Sequence, residues 1–81
     1  MFEQYATALI RDYASIGAGF TYEMSDARYE TVEEALDGYT QDHGEMATDP
    51  NVESAYRIVS LDRHGRPVDY ITIASAREIV A

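Results

Sequence analysis

Apolar and polar positions alternate with a period that changes along the chain, and each change marks an element. At the start, Phe2, Tyr5, Ala6, Leu9, Ile10 and Tyr13 recur at i, i+3, i+4, i+7 and i+8, with Glu3, Gln4, Thr7, Arg11 and Asp12 between them. That spacing predicts an amphipathic helix over 2–16. Gly17 and Gly19 would close it, because glycine accepts the left-handed conformation of a helix end. Phe20-Thr21-Tyr22-Glu23-Met24 then alternates with period two and reads as a strand, followed by a turn at Asp26-Ala27-Arg28. Thr31-Val32-Glu33-Glu34 is a capping box: the Thr31 hydroxyl accepts from the Glu34 amide and the Glu34 carboxylate reaches back. The helix it opens runs to about His43 and ends at Gly44, with Val32, Ala35, Leu36, Tyr39 and His43 on one side.

Gly44 to Asn51 reads as a loop with a turn at Asp49-Pro50-Asn51. Two β-branched and aromatic runs follow, Ala55 to Leu61 and Val68 to Ile73. Asp62-Arg63-His64-Gly65-Arg66-Pro67 joins them as a hairpin, with His64-Gly65 as the positive-φ site. Ser75 can cap a short C-terminal helix from Ala76 to Val80.

The expected order is α-β-α-β-β in a single α+β domain covering 1–81. A strand-helix-strand crossover sets the first and second strands parallel. The third strand, antiparallel to the second through the hairpin, then fits between them. The expected architecture is a three-stranded antiparallel sheet in the order 1-3-2 with two helices on one face. It is preferred to a mixed 1-2-3 sheet because the third strand is the richest in β-branched residues. The expected core is Phe2, Tyr5, Leu9, Ile10, Tyr13, Phe20, Tyr22, Val32, Leu36, Tyr39, Ile58, Ile71 and Ile73.

Charge changes this picture of an ordinary small domain. The chain has 81 residues and a net charge of −9. All of that charge resides between Glu23 and Glu53, where ten acids face the single Arg28. The remaining acids and arginines balance. Such a field repels nucleic acid and anionic lipid and attracts basic partners. Within it, the second helix carries a pattern. With Glu30 at zero, Glu33, Glu34 and Asp37 fall near about −60°, +40° and −20°, at about 100° per residue. The four carboxylates form a stripe roughly 10 Å long, opposite Val32, Ala35, Leu36 and Tyr39. Glu23, Asp26, Asp42, Glu45 and Asp49 extend the same sign on both sides. Acids in a first helical turn also favour the macrodipole and the cap, so a solvated helix face explains the stripe without a partner.

Other chemistry finds little support. There is no cysteine, hence no thiolate zinc site and no disulfide. Asp42-His43-Gly44-Glu45 offers oxygens and an imidazole, but His43 has no second histidine at i±4 and no calcium-loop pattern occurs. His43 reads as a helix C-terminal residue and His64 as a turn residue. The serines lack a Gly-x-Ser-x-Gly context. A non-enzyme without a metal or other cofactor is expected. Tyr29, Tyr56 and Tyr70 divide between sheet packing and interface anchoring. Met-Phe-Glu-Gln-Tyr lacks the basic region and apolar run of a signal peptide, and no apolar run is long enough to span a membrane. A soluble, cytoplasmic protein of a bacterial or archaeal host is expected.

An acidic block from Glu23 to Glu53 on a small, cysteine-free, motif-free α+β chain resembles the small acidic inhibitors of phages and mobile elements, the anti-CRISPR and anti-restriction proteins. The resemblance is one of type and matches no motif. It implies a protein that occupies a basic surface of a nucleic-acid-processing defence machine, without catalysis and without binding nucleic acid directly, as a nucleic-acid mimic or by blocking a protein surface. The competing expectation is a host accessory protein whose charge serves solubility: a small regulator, an antitoxin, or a homodimer pairing the exposed edge of the second strand (Ala55 to Leu61) or the first (Phe20 to Met24).

Overall fold

The computed structural model describes residues 4–12 and 20–81. Strands β1 (Gln4–Asp12) and β2 (Phe20–Met24) are followed by helix α1 (Val32–His43), a 3₁₀ segment (Gly44–Thr48) and helix α2 (Pro50–Ala55). Strands β3 (Tyr56–Leu61) and β4 (Pro67–Thr72) and helix α3 (Ile73–Val80) complete the chain. The sheet is four-stranded, antiparallel throughout, in the order β2-β1-β3-β4.

This corrects the expected three-stranded sheet and α-β-α-β-β order. The segment read as a first helix over 2–16 contains β1, at the centre of the sheet. Its apolar residues do recur at helical spacing, but the run from Tyr5 to Ile10 is unbroken by charge, as befits a strand with both faces covered. Ala6 and Ala8 are buried on one face, and Thr7 is buried on the other beside half-buried Tyr5 and Leu9. Each pairs across to β3, Thr7 opposite Ile58 and Ala6 opposite Val59. Once β1 holds the centre, β3 becomes the second inner strand. The strand expected in the middle, β4, is an edge with an exposed Val68 and Tyr70. The Gly17 and Gly19 stop, Phe2, Tyr13 and the side chain of Phe20 lie outside the described residues.

Local signals set the remaining elements. Thr31 Oγ1 accepts from the Glu34 amide at 3.1 Å, and Gly44 ends α1 at φ 56°. The segment expected to be a loop is helical. Asp49 Oδ1 accepts from the Asn51 amide at 2.8 Å with Pro50 in the first turn of α2, so Asp49-Pro50 is a helix start rather than a turn. In the β3–β4 hairpin, Asp62 Oδ1 accepts from the amides of His64 (2.8 Å) and Arg66 (2.9 Å), with Gly65 at φ 77°. These bonds, the Arg66 amide foremost, hold the Asp62 carboxyl below its ordinary range. Thr72 rather than Ser75 caps α3, accepting from the Ser75 amide at 3.1 Å, so Ile73 leaves the strand and becomes a buried helical residue.

The three described helices pack on one face of the sheet. The core there joins Leu36 and Tyr39 of α1, Ile58 of β3 and Ile73 and Ala76 of α3, with Tyr29 and Val52 packed against it. Tyr29 pairs with Tyr5 through two backbone hydrogen bonds of 2.7 and 2.8 Å, which draws its ring over Gly38. A Cβ built on Gly38 would stand 2.6 Å from Tyr29 Cζ, so glycine is what lets the ring cross α1. Gly38→Ala should therefore destabilise the protein, although alanine is worth about 1 kcal/mol more than glycine inside a helix. In a Tyr29→Ala background the same change should stabilise. Urea midpoints of the four proteins measure both signs, and a stabilising Gly38→Ala in wild type would deny the contact.

The opposite face is lined by Ala6, Ala8, Val59 and Leu61, with Met24 beside them. On it Tyr22 of β2 and Tyr70 of β4 stack, ring centroids 4.1 Å apart at 20°. In a flat sheet three spacings of about 4.8 Å would hold these outer strands about 14 Å apart. The sheet is therefore strongly coiled. Tyr22, expected in the core, is 42% exposed.

Candidate acidic interface

Glu30, Glu33, Glu34 and Asp37 are all exposed. Glu30 precedes the Thr31 cap and lies outside α1, so only Glu33, Glu34 and Asp37 form the expected stripe on the helix, whose Ala35, Leu36 and Tyr39 are buried. The apolar side of α1 is held by the sheet, which turns the carboxylates outward. Glu34 is further ordered by the cap, its Oε2 accepting from the Glu30 amide at 3.0 Å. The box thus closes on the residue before the cap rather than on the cap itself.

The flanking acids separate. Asp26 lies in the bend after β2, Glu45 in the 3₁₀ segment and Asp49 at the start of α2, on three different segments. Asp49 is half-buried and occupied by its cap. Asp42 stands about 140° around α1 from Asp37, at about 100° per residue. It leaves the stripe and turns toward β2, where it and Glu23 line one cleft.

Neutralisation is sparse. Arg77 pairs with Glu53 at 2.7 Å and also donates to the Ala47 carbonyl at 3.1 Å, which tethers α3 to α2 and removes one acid from the field. Arg28 turns back on its own bend, donating to the carbonyls of Ser25 (2.6 Å) and Ala27 (3.0 Å). Among the described residues no ion pair reaches Glu30, Glu33, Asp37 or Asp42.

The cleft, of about 360 Å³, lies between β1–β2 and the C-terminal end of α1. Its wall includes His43 and Tyr56, whose rings meet edge to face at 4.5 Å. His43 Nδ1 donates to the Tyr39 carbonyl at 2.8 Å, and Tyr39 packs 4.7 Å from the imidazole. Thr7 and Ser25 join hydroxyls at 3.1 Å beneath. The sequence carries half of this arrangement in the four-residue spacing of Tyr39 and His43. Tyr56 arrives from β3, and nothing local in the sequence associates it with them.

Beneath the rings, Tyr39 Oη donates to the Ala47 carbonyl at 2.9 Å. Burial first, then nearby Glu53, pushes the phenol above its ordinary 10.0. The unfolded chain therefore ionises before the folded one. Stability is intact below about pH 10 and falls as pH rises from there toward the folded-state value. Tyr39→Phe should cost about 0.5–1.5 kcal/mol at pH 7 by losing the hydrogen bond. Urea titrations at rising alkaline pH should show that gap narrowing; a constant gap would contradict the shift.

The three undecided tyrosines divide. Tyr29 packs on α1 and Tyr56 joins the rings, both half-buried, whereas Tyr70 is 38% exposed. No group of three or more histidine, aspartate and glutamate side chains placed to hold a metal occurs among the described residues. No described helix is long and apolar enough to cross a membrane. Comparison with protein-family models, curated proteins and solved structures finds no match to the chain.

Proposed function

We propose that this chain is a non-enzymatic acidic binding protein that occupies a basic surface on a nucleic-acid-processing defence machine, as anti-CRISPR inhibitors do. The carboxylates of α1 stand where phosphates would otherwise lie. The observation that carries this reading is the row Glu33, Glu34 and Asp37, exposed on a helix whose other side is locked into the core, with exposed Glu30 just before its cap. A rigid row of like charge attracts rows of Lys and Arg that evolved for phosphate. It raises the association rate most at low salt.

The test is capture by the immobilised protein from bacterial lysate at two salt concentrations. A nucleic-acid-processing complex should be retained at about 0.05 M salt and depleted at about 0.5 M, where screening shortens the reach of exposed charge. The protein alone should retard neither DNA nor RNA in a gel at low salt, and retardation of either would overturn the reading.

A regulatory or antitoxin-like homodimer is the second reading. It draws on the sheet face opposite the described helices, where Tyr22, Val68 and Tyr70 are exposed. The edges available for strand pairing are β2 and β4, not β3, which is internal. A concentration-dependent dimer by sedimentation, with no basic partner captured, would favour it.

A further inference from the structure

We infer that the cleft beside the C-terminal end of α1 receives one arginine side chain of the partner. The inference rests on the proposal of a basic partner and adds a specific receptor to it. The volume of about 360 Å³ is within the range of sites that enclose a small ligand group, about 300–1,000 Å³. Its lining combines three surfaces that an arginine needs together. Leu9 supplies apolar contact for the methylene stem, whereas the Met24 side chain packs on the other face of the sheet. Tyr56, held by the rings of His43 and Tyr39, supplies an aromatic wall of the kind on which a guanidinium packs. Asp42 lines the same opening as an acid, with Glu23 also in the wall.

Asp42 is the decisive group. It is exposed and has no ion-pair partner among the described residues, and it leaves the α1 stripe to face this cleft. An anionic occupant would meet the field of the whole chain, which is −9. An ammonium would keep more of its hydration shell and profit less from the apolar half of the lining, whereas guanidinium is weakly hydrated and planar. The stripe then supplies long-range attraction, and the cleft supplies a contact of defined geometry at one end of it.

The probe is N-acetyl-arginine amide, titrated into the ¹⁵N-labelled protein and followed by NMR. N-acetyl-citrulline amide, similar in shape and uncharged, serves as the control. Arginine should shift the amides of Leu9, Met24, Asp42, His43 and Tyr56 along one saturable curve, with a Kd on the order of 1 mM. Citrulline should bind at least about tenfold more weakly, and Asp42→Asn should weaken arginine by about threefold or more. Glu78→Gln, which removes one negative charge from α3, should leave the curve unchanged. Shifts that do not saturate, that fall on the outer face of α1 instead, or that citrulline reproduces would overturn the assignment. A cleft silent to arginine in a protein that still captures a basic partner would sink this inference alone. Saturable arginine binding without any captured partner would sink the functional proposal and leave the cleft.

Discussion

Truncating Leu36 to alanine is expected to cost about 2–5 kcal/mol, the range for emptying a buried leucine site. Leu36 is 7% exposed and belongs to the core between α1 and the sheet. Its neighbours Ile58 and Ile73 come from a central strand and from α3, which cannot close on the space without dragging their own hydrogen-bonded backbones. A domain of this size holds on the order of 5–10 kcal/mol in total, so the variant should be substantially weakened. With a urea slope of about 1 kcal/mol per molar, the unfolding midpoint should fall by about 2 M or more. A loss below about 1 kcal/mol would place Leu36 outside the core and reverse the faces of α1, and the acidic row would then point inward.

The second large effect is on binding. Changing Glu33 and Glu34 to Gln and Asp37 to Asn together should lower affinity for the captured partner at least about tenfold, or about 1.4 kcal/mol. The three side chains are exposed, so packing is untouched. Glu34 also accepts from the Glu30 amide, and Gln keeps an oxygen there. The loss of stability should stay within about 1–2 kcal/mol, from the cap and the helix dipole. The salt dependence of binding should flatten as charge-pair contacts disappear. Unchanged affinity in the folded triple variant would identify the row as a solvated helix face, and the weight would shift to the tyrosine-bearing sheet face.

Much of the fold from Thr31 onward is local chemistry that the residues state for themselves. A threonine three residues before a glutamate starts α1, a glycine at positive φ ends it, and two β-branched runs around Asp62–Pro67 make the hairpin. The outward orientation of Glu33, Glu34 and Asp37 follows from helical periodicity once Leu36 and Tyr39 are on the inside, whereas Glu30 lies before the cap. The net charge and its concentration between Glu23 and Glu53 need no structure at all. Even the crossover logic survives in part. β2 and β3 run in the same direction with one strand between them, although that strand is β1, which precedes the strand-helix-strand unit instead of following it.

Which strand is inserted was a matter for the tertiary structure. Tyr5 to Ile10 satisfies a helical pattern and an uncharged buried strand equally well, because a strand buried on both faces loses the alternation that identifies a strand. Only the pairing partners on either side, β2 and β3, resolve that ambiguity, and they are distant in sequence. The same non-locality hid the rest. Arg77 finds Glu53 across 24 residues of chain, Tyr56 reaches His43 only when β3 lies beneath α1, and Tyr22 meets Tyr70 only when the sheet coils. Periodicity reports the surroundings of a residue averaged over its own element. Contacts made between elements, which here build the cleft and divide its carboxylates from the α1 row, depend on how strands are ordered and curved, and no local pattern encodes that.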